Sequence, residues 1–259
     1  MTTWKALAGR VTLFPASTPP AALELFRQVW GGDPDSFQKQ ANPLLPTVAQ
    51  GKRHGMTVIC STHPARVDFI FTPARQDEIP DMSFAMIEDL GQLQSGLRDV
   101  IEAVGRGIVS HSVFRVAVNT QFVRPEASFT EANKTLTQII PDQYRMRLTD
   151  EEEFIFQINR LKTSRELTDI KMNFITKWSV ERFQILAMSF PMAIPAPQSM
   201  ASQQQSAAFL AASVLLDNNN VPVSAPLTGS QQSILLLEGL HGIANAQNEM
   251  GLNSEGALR

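Results

Sequence analysis

Histidine, cysteine, serine and paired carboxylates are the side chains that most often carry catalysis or hold metals, and in this chain none of them falls into a working pattern. The four histidines, His54, His63, His111 and His241, are scattered. No two stand at the i,i+4 spacing that puts both imidazoles on one helix face beside a carboxylate. The single cysteine lies in Met56-Thr57-Val58-Ile59-Cys60, where strand alternation sets it beside Met56 and Val58, a core position and not an electropositive niche that would activate a thiolate. Asp150-Glu151-Glu152-Glu153 could hold a cation, but the run precedes a strand at a turn position and reads as solvated charge. Gly105-Arg106-Gly107 follows a helix, the wrong context for a phosphate-cradling loop, which opens one. No Gly-x-Ser-x-Gly is present, and no serine is tied by pattern to a histidine and an acid. Neither a catalytic residue nor a metal or cofactor site is assigned.

The residues left with chemistry to offer are amides and cations on alternating strands. In 113–122, apolar Phe114, Val116, Val118 and Phe122 alternate with Arg115, Ala117, Asn119 and Gln121. With 154–161 and 170–178 as neighbouring strands, Arg115, Asn119, Gln121, Gln157, Asn159, Lys171, Asn173 and Lys177 oppose the hydrophobic set. Such a face is an amide-rich, mildly basic platform, either an ordinary solvated sheet surface or a surface for an acidic ligand or partner segment. An alternative site between lobes would draw on Arg115, Lys171 and His241.

The elements that must position these residues repeat: strand, helix, two strands, helix, once from about Val11 to Val104 and again from about Val113 to Met250. In the first copy Val11–Phe14 is a strand, Thr18-Pro19-Pro20 an N-cap with proline in the first turn, and Gly31-Gly32 the stop of a helix bearing Leu23, Phe26, Val29 and Trp30. Residues 33–55 read as irregular; 56–61 and 66–72 form a hairpin; Leu90 to Val104 form an amphipathic helix. In the second copy Ser128-Phe129-Thr130-Glu131 reads as a capping box. The strand from Ile170 slips in apolar phase after Val180, which suggests a bulge or corner. Residues 190–206 read as an exposed loop, 207–217 as a strand stopped by Asn218-Asn219-Asn220, and 230–250 as a helix with Ile234, Leu237, Leu240, His241 and Ala244 on one stripe.

The expected fold is therefore α+β, with two related lobes (1–108 and 109–259), each a mainly antiparallel sheet with helices on one face. A chain of 259 residues, 43% hydrophobic and 18% charged, can bury a core without disulfides or metal. The net charge of −3 gives no basic footprint for nucleic acid. No 18-residue apolar run or signal-like leader occurs and the lone cysteine suits a reducing compartment, so the expected location is cytoplasmic, with no membrane association.

The strand bearing Arg115, Asn119 and Phe122, together with an ending in which a strand closes on Leu215-Leu216-Asp217 and a helix carries Leu240-His241, resembles a sporadically distributed bacterial family of two-lobed α+β proteins of unknown function. That resemblance implies an accessory protein in a bacterial multigene system of a defence, antiviral or toxin-related kind, and it carries no catalytic residues across. The function expected is that of a non-enzymatic binding or assembly subunit recognising a protein partner or a second copy, through the polar sheet face or an exposed edge. A small-molecule or nucleotide-handling enzyme is the alternative.

Overall fold

A computed structural model describes residues 3–39, 42, 45–74, 85–108, 112–144, 153–186 and 206–252. His111, Asp150 to Glu152 and residues 190–205 of the expected loop lie outside them. The elements in chain order are β1 (Lys5–Pro15), α1 (Ala22–Trp30), β2 (Ser36–Gln38), β3 (Thr47–Arg53), β4 (Met56–His63), β5 (Arg66–Pro73), α2 (Leu90–Gly105), β6 (Val113–Glu126), α3 (Phe129–Ile139), β7 (Ile155–Thr163), β8 (Lys171–Leu186), β9 (Ser206–Asn220) and α4 (Gly229–Glu249).

The strands form one antiparallel sheet of mixed α+β type, ordered β2-β3-β4-β5-β1-β6-β9-β8-β7. β1 and β6 meet at its centre, paired from Lys5/Val123 to Pro15/Val113. The expected neighbours of β6 are corrected here: β7 and β8 do pair, but β9 lies between β8 and β6.

Residues directly opposite each other in a sheet point to the same side, which shows where the helices lie. Gly51, Val58, Phe71, Gly9, Thr120, Leu216 and Thr176 form one such row. A methyl on Gly51 would meet Phe26 of α1, and one on Gly9 would meet Leu93 of α2. Val118, an even-numbered neighbour on the same side of β6, lies under Gly239 of α4. Phe129, at the start of α3, takes Arg182 of β8 over its ring at 5.9 Å. The four α-helices among the described residues thus cover one face. Between them and the sheet sits a single apolar core that includes Phe26, Phe69, Phe71, Phe122, Trp178 and Leu235.

Several local expectations change. Residues 33–55 hold β2 and β3, and β3 joins β4 through His54 and Gly55, both at positive φ (50° and 68°). That is a two-residue hairpin turn whose left-handed backbone suits the twist of the flanking strands. The N-cap of α1 is Ala21, not Thr18; the helix's first free N–H, at Ala22, is answered by Thr47 Oγ1 of β3 at 3.0 Å. Ser128 does cap α3, but Glu131 reaches back to the Ala127 N–H, one residue short of a capping box; the complete box is at Thr228 and Gln231 of α4. β8 pairs with β9 in unbroken register from Met172 to Leu186, so the phase slip after Val180 is a change in which side chains are apolar, not a bulge. Phe183 stands on the side away from the helices and stacks on Phe209 with ring centroids 5.0 Å apart.

The three asparagines continue β9 instead of ending it. Asn218 Nδ2 donates to the Gly239 carbonyl at 2.6 Å, tying the strand to α4. Asn220 Oδ1 accepts from the Val116 N–H at 2.7 Å and its amide donates to the Phe114 and Val221 carbonyls, supplying bonds where the β6–β9 ladder runs out. The buried stripe of α4 is also rotated from the expected one: Leu235, Leu236, Gly239, Leu240 and Ile243 face the sheet, while His241 is exposed.

Candidate functional site

Strand alternation leaves the odd-numbered residues of β6, β8, β9 and β7 on the helix-free face, and all eight residues expected there are on it. One row across the strands runs Ile59, Ile70, Arg10, Asn119, Asp217, Ile175, Asn159. The next runs Ser61, Asp68, Thr12, Ala117, Asn219, Asn173, Leu161. On the other side of the first, Gln121, Leu215, Lys177 and Gln157 line up. Arg115 and Lys171 lie toward one end of the same face.

Most of these polar groups are already engaged with one another. Arg115 Nη2 and Asn173 Nδ2 both donate to Asn219 Oδ1, at 3.0 and 3.1 Å, and Asn159 Nδ2 donates to Asn173 Oδ1 at 3.2 Å. Asn219 Nδ2 in turn donates to Asp217 Oδ1 at 3.3 Å. Glu181 gathers a second group: Ser179 Oγ donates to it at 2.6 Å, Gln121 Nε2 at 3.2 Å, and Lys177 Nζ lies 3.2 Å away. Gln157 and Lys171 point to water.

The first half of the chain contributes residues that its sequence did not single out. Asp68, 5% exposed, accepts from Thr12 Oγ1 at 2.7 Å and pairs with Arg66 at 2.7 Å. The guanidiniums of Arg66 and Arg115 lie over the ring of Phe14 at 5.9 and 5.2 Å, so an aromatic side chain bridges the two halves of the face. Arg10 stands beside Asp217, and its buried Nε, like that of Arg115, has no hydrogen-bond partner among the described residues. Burial raises the Asp217 pKa against the opposing pull of the Asn219 hydrogen bond and the Arg115 and Arg10 charges. The missed signal is alternation in Arg10-Val11-Thr12-Leu13-Phe14, the same pattern that exposes Arg115 and Asn119 in β6.

Within these same rows stand half-buried aliphatics, Ile59, Ile70, Ile175 and Leu215, and no helix among the described residues covers them. The face therefore sets apolar side chains among hydrogen-bonded, oriented polar groups. Asn219, 1% exposed on this face, is held by hydrogen bonds with Arg115, Asn173 and Asp217.

A second concavity lies on the other side of the sheet. A cleft of about 470 Å³ opens between α4 and the β7–β8 ribbon, with Phe174, Leu216 and Leu237 in its wall and Arg160, Lys162, Arg165 and His241 among its polar lining. Glu238 in this cleft is held by Ser164 Oγ at 2.6 Å and by the Arg165 N–H at 3.2 Å. The sheet separates His241 from Arg115 and Lys171, so those three do not form one site. Cys60 is wholly buried, and burial pushes its thiol pKa far up, which removes it as a nucleophile at neutral pH. Among the described residues no group of three or more histidine, cysteine or acidic side chains could hold a metal, and no helix is long and apolar enough to cross a membrane.

Comparison with protein families, with curated proteins and with solved structures finds no match to this chain.

Proposed function

We propose that this protein is a non-enzymatic binding or assembly subunit that holds a segment of another protein on the helix-free face of its sheet. The observation that carries this reading is the face itself: nine strands wide at its fullest, uncovered by any described helix, with Ile59, Ile70, Ile175 and Leu215 half-buried among hydrogen-bonded polar side chains. Aliphatic side chains give a partner something to desolvate, and polar groups already fixed in place lose little entropy on contact. Asp68, Asp217 and Glu181 are each engaged by neighbouring donors, an arrangement that orients a recognition surface. A strand, a helix, a run of strands and a helix recur on either side of the β1–β6 seam, with four strands in one run and three in the other, which supports two related lobes arising by duplication, joined edge to edge. With the resemblance noted above, the reading extends to an accessory subunit of a bacterial, cytoplasmic defence or toxin-related system.

The test is co-purification of the full chain from its native host, with and without Ile175→Glu or Leu215→Glu. A stoichiometric protein partner that is retained by the wild type and lost at least tenfold with either variant supports the reading. Retention by both variants, or a partner lost only when α4 is altered, overturns it. The cleft between α4 and β7–β8 favours a second reading, a small-molecule-handling role. In that case a metabolite would co-purify and be released by Arg160→Ala or His241→Ala, with the sheet-face variants unaffected.

A further inference from the structure

β7 is the last strand of the sheet, and its outer edge is unpaired among the described residues. The Phe154 carbonyl accepts from the Val180 N–H at 3.0 Å, and the Ser164 N–H donates to the Ile170 carbonyl at 2.8 Å. Antiparallel bonding alternates residue by residue, so the even-numbered residues of β7 bond to β8, and the N–H and C=O groups of residues 155, 157, 159, 161 and 163 point outward. A nine-residue edge of this kind is a template for another strand. It also carries the two most exposed large apolar side chains described, Ile155 at 69% and Leu161 at 54%.

We infer that the occupant of this edge is a second copy of the same chain, with the two β7 strands antiparallel about a two-fold axis at Ile158. Bonding through the outward groups requires odd residues to oppose odd residues. Of the registers that do so, one centred on Ile158 sets Ile155 of each copy directly opposite Leu161 of the other, covering both exposed aliphatics at once. The same register sets Gln157 opposite Asn159 as a hydrogen-bonded pair. On the helix side it sets Arg160 opposite Phe156, and Lys162 opposite Phe154, so cations meet aromatic rings and not each other. A register shifted to centre on Arg160 would oppose like charges and leave Ile155 uncovered. A single strand with two aliphatics placed symmetrically about Ile158 is self-complementary in that register, as an interface with two-fold symmetry requires. The helix-free faces of the two copies would then adjoin as one surface, which leaves the partner-binding face proposed above free.

Sedimentation of the full chain across a micromolar concentration range should show a species of twice the chain mass. Leu161→Glu, at an exposed position that folding does not depend on, should weaken that association at least tenfold while the circular dichroism spectrum stays unchanged. Ile158→Cys should form a disulfide-linked dimer on oxidation, because residues opposed across a non-hydrogen-bonded antiparallel pair have Cα atoms about 4.5 Å apart, within reach of a disulfide. A chain that stays monomeric throughout, or a dimer that Leu161→Glu leaves intact, would overturn the inference. So would cross-linking through Asn159→Cys in place of Ile158→Cys, which would place the axis elsewhere.

Discussion

Asp217 sits in the middle of the helix-free face, short of water, and its proton is held more tightly in the folded chain than in an unfolded one because burial outweighs the help of Asn219, Arg115 and Arg10. Between the unfolded and the raised folded pKa the native state therefore binds more protons, and stability falls as pH rises through that interval. Below the unfolded pKa both states are protonated and the effect is fully favourable to folding. Asp217→Asn keeps an acceptor oxygen for Asn219 and removes the ionisation. Its melting temperature should exceed that of the wild type by a few degrees at neutral pH, and the gap should close in acid. Thermal melts across that pH range decide it; a variant less stable at neutral pH would mean the two arginines outweigh desolvation. Single residues of this kind were unevenly legible. Cys60 could be placed from alternation within one strand, and so could Arg115 and Asn119. The cations beside Asp217 could not, since Arg115 and Arg10 reach it only through pairings between distant segments.

At the scale of elements, the docking of helices on the sheet depends on glycines that permit close approach. A methyl on Gly242 of α4 would come 2.6 Å from Phe174 Cε1 and 2.8 Å from Asn218 Nδ2, and one on Gly239 would come 2.7 Å from Val118 Cγ1. Alanine is the better helix former by about 1 kcal/mol, but overpacking of this degree costs about 1–3 kcal/mol. Gly242→Ala should therefore come out destabilising, by up to about 2 kcal/mol net, because Phe174 is pinned by Lys162 over its ring on one side and the helix on the other. Urea unfolding would show it; a neutral or stabilising result would mean the helix shifts without loss. The same closeness explains why the α4 stripe was misread. Ile234 to Leu237 are apolar around most of a turn, so hydrophobicity leaves the facing direction open, and the small side of the helix at Gly239 settles it. β3 was missed for a related reason: Gln50, Gly51 and Lys52 look like loop, yet Gly51 is where Phe26 of α1 needs room.

For the whole molecule, the expected order of strand, helix, two strands and helix understates the strands, since four stand between α1 and α2 and three between α3 and α4, and the way the two halves of the chain join was not readable. Strand order follows from pairings between segments far apart in the chain, and nothing local in β9 tells it to insert between β6 and β8. What joins the halves has a measurable consequence. Val11 and Val118, both fully buried, pair across the seam, and the β1–β6 register holds from Lys5 to Pro15 with one shift after Ala6 and one before Pro15. Below the sheet, α2 and α4 pack together, with Gly105 against Ser233 and Gly229 against the Val104 carbonyl. Separating the halves would expose buried valines and strip the ladder bonds from both central strands, a cost neither half recovers alone. Unfolding should consequently be one cooperative transition, with calorimetric and van't Hoff enthalpies equal, although two-state behaviour usually belongs to smaller domains. Two resolved transitions, or a stable monomeric fragment ending near residue 108, would show instead that each lobe carries its own stability and that the seam is only a docking contact.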